Sequence, residues 1–307
     1  MEAFLVYSIA REKTPSFRKE IEFLLSSAKV SGVALTALSF AEAERYIYAS
    51  YLDCGFIYFY DEDPYLLNLA MNLGIPCFGH PYSSAYCQDL GLFYKKMEDY
   101  GIAHPTFYNF PNLKNEKPKG FFTFLSSSIK ERGINYPFYI RKKDDEGFAP
   151  KLCLSPIEFN ETLKKMKDSA WVAEEYVKGP ILFALVIEKR CFGVLEEKNG
   201  KLERSSFDNA FVRSQAVKIA TLLRAECALV CFKYVDGRPL AYGMYPGKYF
   251  RTFAANFANQ PGEALFTKLK TASKKFNPYF YVGSTEIKKN RNGARLAGSI
   301  HPHDNRD

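Results

Sequence analysis

No stretch of the chain approaches the roughly 18 consecutive apolar residues of a membrane-spanning helix, so no span is expected. The opening, MEAFLVYSIAREKTPSF, lacks a basic segment ahead of its short apolar run, which argues against a secretory signal. The cysteines number seven, an odd count, and none stands in a C-x-x-C pair, so neither a disulfide framework nor a dithiol redox motif is indicated. A reduced, cytoplasmic compartment fits that usage. Histidine is scarce, and His80 and His104 sit beside Gly79 and Pro105 in turns. No acid or cysteine stands at a spacing that would make either one part of a triad or a metal site.

Apolar residues make up 47% of the chain, and 27 Phe with 21 Tyr supply enough contact area for a packed interior. A chain of 307 residues has room for two or three lobes. Lys plus Arg exceed Asp plus Glu by 42 to 34, a formal +8, which reads as a lysine-rich soluble surface or as attraction to an anionic partner.

Apolar runs alternate with helical periodicity from the start, the pattern of parallel strands joined by helices. Strands are expected over 4–7, 33–38, 55–60 and 75–78, and helices over 16–29, 41–49, 66–73 and 85–100. A polar linker, PNLKNEKPKG, and an amphipathic helix carrying Phe121, Leu125 and Ile129 follow, then strand-rich segments around 138–140, 171–177, 182–187, 191–195, 228–234 and 240–244. A helix is expected over 210–223. The fold class is therefore α/β, with an N-terminal open parallel-sheet domain over 1–105, lobes over 106–178 and 179–281, and a basic, flexible tail over 282–307.

Residues 136–148, YPFYIRKKDDEGF, carry a contradiction. A strand ending in Arg141 suits a cation aimed at phosphates, because a strand holds its side chains rigidly. The loop that follows carries Asp144, Asp145 and Glu146 with Gly147 as its one glycine, so carboxylates stand where backbone amides would cradle a triphosphate. Like charges there repel by about 1 kcal/mol in water and by several times more where water is excluded. The alternative is an exposed charged turn. Strand alternation lets Arg141 and Lys143 converge on one face.

The order of segments resembles the ATP-grasp superfamily, in its ribosomal-protein glutamate ligase and glutathione synthetase branch, over about residues 1 to 260. GIPCFGHPYSSAYCQDLGLFYKKMEDYGIAHPT resembles the passage into the central domain, and YPFYIR the phosphate-binding strand. WVAEEYVKG resembles the hinge that presents backbone groups to adenine, and ALVCFKYVDGRPLAYGMYPG the closing strand pair that bears metal ligands. The resemblance implies a nucleotide held between two α+β lobes, ATP phosphorylating a carboxylate, and magnesium bridging the phosphates.

The departures are specific. Leu90 follows Asp89 where the family has a phosphate-binding Lys, and Arg141 replaces a second Lys. The family's metal-binding Asp falls at Cys231, its Glu and Asn near Ala241 and Gly243, and its acidic ribose contact at Ile181. Magnesium is therefore doubtful, since a hard cation needs oxygen ligands. ATP contacts remain credible at Arg141, Lys143 and the hinge residues Glu174, Glu175, Tyr176 and Val177, although a solvated acidic pair is an equal reading of the two glutamates. Lys248 and Arg251, after Pro246-Gly247, are candidates for an acidic substrate group or for a surface role.

Three functions stay open: a degenerate homologue (a pseudoenzyme) binding a nucleotide, a peptide or a protein partner; an active ATP-dependent carboxylate–amine ligase with ligands drawn from Glu188, Glu196, Glu203 or Asp208; and a basic protein binding nucleic acid, with steep salt dependence. A homo-oligomer is compatible with each.

Overall fold

The computed structural model describes residues 1–49, 54–61, 63–79, 81–110, 120–142, 150–165 and 171–276. His80, Lys143, the carboxylates of Asp144, Asp145 and Glu146, and the basic tail lie outside the described residues. No described helix is long and apolar enough to cross a membrane.

The first lobe alternates as its periodicity predicts. Strands β1 (Glu2–Tyr7), β2 (Ala34–Ser39), β3 (Phe56–Phe59) and β4 (Cys77–Phe78) form a parallel sheet in the order β2-β1-β3-β4. Every residue of β3 is buried, because helices cover both faces of the sheet. Helix α1 (Pro15–Val30) starts on a proline and packs Phe17, Leu24 and Ala28 inward. Helix α2 (Phe40–Tyr48) opens with a capping box between Ser39 and Glu42, and α3 (Pro64–Asn72) with the carboxylate of Asp63 accepting from the Leu66 N–H.

The helix expected over 85–100 is two helices, α4 (Pro81–Gln88) and α5 (Leu90–Asp99). Asp89 is extended, with φ −118°, and its carboxylate accepts from the N–H groups of Gly91 and Leu92 at 2.8 and 3.0 Å. That capping starts a new helix in mid-run, which apolar spacing alone does not reveal.

The second lobe holds β5 (Phe107–Asn109), α6 (Phe121–Glu131), β6 (Phe138–Lys142), β7 (Lys151–Cys153), α7 (Pro156–Lys165) and β8 (Trp171–Glu175). Its strands form an antiparallel sheet in the order β5-β8-β6-β7. Leu125 and Ile129 of α6, with Phe159 and Leu163 of α7, pack on Phe138, Ile140 and Ala173. Strand alternation then turns Tyr139, Arg141 and Glu174 to the opposite face, toward the third lobe.

That third lobe contains β9 (Ile181–Ile187), β10 (Arg190–Lys198), β11 (Lys201–Arg204), α8 (Ala210–Leu222), β12 (Cys227–Val235), β13 (Arg238–Pro246), α9 (Phe250–Phe257) and α10 (Pro261–Ser273). The sheet is antiparallel, in the order β11-β10-β9-β12-β13. One core joins it to α8 and α5, and another joins Leu185, Ile187 and Leu229 to α1, α9 and α10. Gly193 adopts φ +141° within an irregular stretch of β10, and a Cβ there would strike the Phe257 ring. Helix α5 touches β5, β8 and β13, so it bridges the second and third sheets. Phe93 and Tyr94 on that helix are fully buried, a contribution of roughly 2 kcal/mol each.

Candidate functional site

The polar cluster between these two sheets is built from β6, β8, β12, β13 and α5. Tyr139 lies opposite Glu174, and Arg141 opposite Val172, in the β6–β8 ladder. Glu174 has no exposed surface, which overturns its reading as a solvated acid. Its Oε1 accepts from the Tyr242 hydroxyl at 2.7 Å, and its Oε2 from the Tyr94 hydroxyl at 2.7 Å and from Arg141 Nη1 at 3.5 Å. A buried carboxylate needs this degree of satisfaction, because each lone pair left dry costs about 1 to 3 kcal/mol. Arg141 also donates to the Tyr242 carbonyl at 3.4 Å and lies 4.6 Å from the centre of its ring.

Tyr242 reaches Glu174 because of a bulge. The β12–β13 register shifts between Cys231, opposite Gly243, and Phe232, opposite Ala241, and leaves Tyr242 as the extra residue. Bulges re-aim side chains in this way.

Burial works against the charge of Arg141, yet the Glu174 carboxylate beside it holds the guanidinium well above its ordinary value. Burial, followed by the charge on Glu174, pushes the Tyr94 and Tyr242 phenols up, so both stay protonated as donors. Lys233 is 6% exposed. Its Nζ donates to the Val177 carbonyl at 2.8 Å and lies 5.1 and 5.0 Å from the ring centres of Tyr139 and Tyr242. Burial pulls its pKa down, Glu174 counters, and Arg141 adds to the depression.

The link from β8 to β9 runs past this cluster. Tyr176 brings its ring centre to 5.4 Å from that of Tyr139, and Val177 is buried. The Glu175 N–H donates to the Thr106 carbonyl at 2.9 Å, tying the hinge to the start of the second lobe. Gly179 is required by a close approach, since a Cβ there would strike the Tyr234 carbonyl oxygen.

Arg141, Glu174, Tyr176 and Val177 thus gather in one place, with Glu175 adjoining. Lys248 and Arg251 stand elsewhere, at the junction with the first lobe. Lys248 Nζ is 3.5 Å from Asp61 Oδ1, and the same carboxylate accepts from Arg11 at 2.6 Å and from the Ser8 N–H at 3.0 Å. The Arg251 and Phe250 N–H groups donate to Glu20 at 3.1 and 2.6 Å, so that carboxylate caps α9. Sequence reading passed over Tyr94, Tyr242 and Lys233. A signal for the last was present, a lone charge inside the apolar strand ALVCFKYV.

The positions that the family resemblance assigns to metal ligands carry no hard oxygen. Cys231 faces Gly243 directly across β12–β13, and a Cβ on Gly243 would lie 4.0 Å from Leu90. A thiol, a hydrogen and a leucine offer no hard oxygen. The other acids are engaged elsewhere: Glu188 with Lys268, Asp208 with Arg213, and Glu196 with Lys198, while Glu203 pairs opposite Glu196 on an exposed strand. Among the described residues no three His, Cys, Asp or Glu side chains gather as a metal site.

No protein-family model and no curated protein matches the sequence. Solved structures do match in shape. D-alanine–D-alanine ligase from Bacillus anthracis, complexed with ATP, has a TM-score of 0.70 at 13% identity, covering 90% of this chain and 99% of that one. A RimK domain ATP-grasp protein from Sphaerobacter thermophilus has a TM-score of 0.68 at 14% identity, covering 88% and 98%. The ATP-grasp ligase PsnB, complexed with precursor peptide PsnA2 and AMPPNP, has a TM-score of 0.61 at 12% identity, covering 88% and 97%. Three lobes, with one parallel sheet followed by two antiparallel ones, align along nearly the whole length of each, and the chain therefore has the ATP-grasp fold.

Proposed function

We propose that this chain is an ATP-grasp homologue that keeps an interlobe seat for a nucleotide, alongside a peptide or protein partner, and has lost efficient carboxylate–amine ligation. The observation that carries the reading is the pairing of Cys231 with Gly243 beside Leu90. Three positions that the family resemblance assigns to metal and phosphate contacts adjoin one another here, and their side chains offer neither hard oxygen nor ammonium. Arg141 shares its charge with Glu174, which lowers what it offers a phosphate. Support for the nucleotide seat comes from the exposed Tyr176 ring, which packs beside Tyr139 at the segment that resembles the family's hinge. Shape-matched neighbours solved with ATP, and with a precursor peptide and AMPPNP, support the same assignment of ligand classes.

The test incubates the full-length chain with ATP, magnesium and a panel of carboxylate and amine acceptors, peptides included, and measures released phosphate and new amide. The expected result is no product above the no-enzyme background. Magnesium-dependent turnover overturns the reading and restores the active-ligase alternative.

A further inference from the structure

The interlobe seat is crowded with hydrogen-bond donors. Both oxygens of Glu174 already accept, one from Tyr242 and the other from Tyr94 and Arg141. At the hinge, the Val177 carbonyl already accepts from Lys233. An ammonium carries three donors and no acceptor, so two N–H groups of Lys233 remain, held between the faces of Tyr139 and Tyr242. Arg141 brings further guanidinium donors over the same Tyr242 ring. Among the described residues, Glu174 is the carboxylate whose charge counters both Arg141 and Lys233. A group entering beside Lys233 is favoured when it brings an acceptor oxygen and disfavoured when it brings an amine, because two opposed donors leave both unsatisfied.

We infer that Lys233 is a specificity-determining residue that makes the hinge select a base presenting an exocyclic oxygen, as in an oxo-purine nucleotide, over the exocyclic amine of adenine. The inference rests on the nucleotide reading above. An aromatic face does not distinguish the two bases, so discrimination falls to the polar edge. One hydrogen bond made rather than one donor opposed corresponds to a preference of about tenfold or more in affinity.

Inosine triphosphate and ATP, which differ at this exocyclic group and the adjoining ring nitrogen, are the probes. Their affinities are measured by calorimetry on the full chain and on two variants. Lys233→Met keeps the stem and removes the donors; Lys233→Arg keeps donors and serves where the first variant fails to fold. The expected result is that the wild type binds inosine triphosphate at least about tenfold tighter than ATP. Lys233→Arg retains the preference and Lys233→Met abolishes it. Equal or tighter binding of ATP by the wild type overturns the inference while leaving the nucleotide seat standing, as does a preference that survives in Lys233→Met. Binding of neither nucleotide overturns the seat itself, and the inference falls with it.

Discussion

Replacing Glu174 by glutamine keeps the shape of the side chain and removes its charge, which tests whether Arg141 is held by the protein rather than kept for a ligand. In the wild type the carboxylate receives two phenol hydrogen bonds of 2.7 Å and a guanidinium at 3.5 Å, with the Glu174 and Arg141 side chains 0% and 13% exposed. Neutralisation reduces each phenol bond from charge-assisted to ordinary strength, about 1 kcal/mol apiece. Arg141 is left buried without its counter-charge, a further cost of about 1 to 2 kcal/mol at this separation, and the whole loss is about 3 to 4 kcal/mol. The chain's one tryptophan, Trp171, lies on the same strand and is buried, so its fluorescence reports urea unfolding of this lobe directly. Arg141→Met alone also destabilises, by stranding the carboxylate's charge. The double variant Arg141→Met/Glu174→Gln recovers part of the loss, with a coupling of about 1 kcal/mol or more in a double-mutant cycle. A loss below about 1 kcal/mol for Glu174→Gln, or strict additivity in the cycle, shows that Arg141 is not held by Glu174.

Two further perturbations probe the two ends of β12. Burial pushes the Glu226 carboxyl up to about 7 from its ordinary 4.5, so the stability it contributes is present below pH 4.5 and is lost as pH rises to 7. Glu226→Gln therefore flattens the stability profile across that window and adds at most about 3 kcal/mol at pH 8, measured by urea unfolding at a series of pH values, and an unchanged profile contradicts the assignment. Gly179→Ala drives a methyl against the Tyr234 carbonyl and destabilises by about 1 to 3 kcal/mol; full tolerance shows that the hinge is free to move away from β12.

Much of this arrangement was legible in the sequence, because a period of two in strands and of 3.6 in helices follows directly from which faces are buried. The apolar run within 55–60 forecasts a fully buried strand, and β3 is one. The split of one expected helix at Asp89 was not legible, since apolar spacing continues across it and a single side-chain oxygen decides the outcome. Within the site, the strand bearing Arg141 stood out by residue type, and the segment 174–177 only by its resemblance to the family's hinge. Tyr94 and Tyr242 did not, because their role depends on a helix bridging two sheets and on a bulge in β13, both long-range features. Lys248 looked like a ligand group following Pro-Gly; its pairing with Asp61, distant in the chain, arises only when the first and third lobes pack together.

Thermal unfolding of the full chain with excess nucleoside triphosphate, once with magnesium and once with EDTA, shows whether a nucleotide seat persists without a metal. A retained seat that has lost its metal ligands predicts stabilisation of about 2.7 kcal/mol at a hundredfold excess over the dissociation constant, equal in the two conditions and with no phosphate released. Stabilisation that appears only with magnesium, or phosphate release alongside it, contradicts the account.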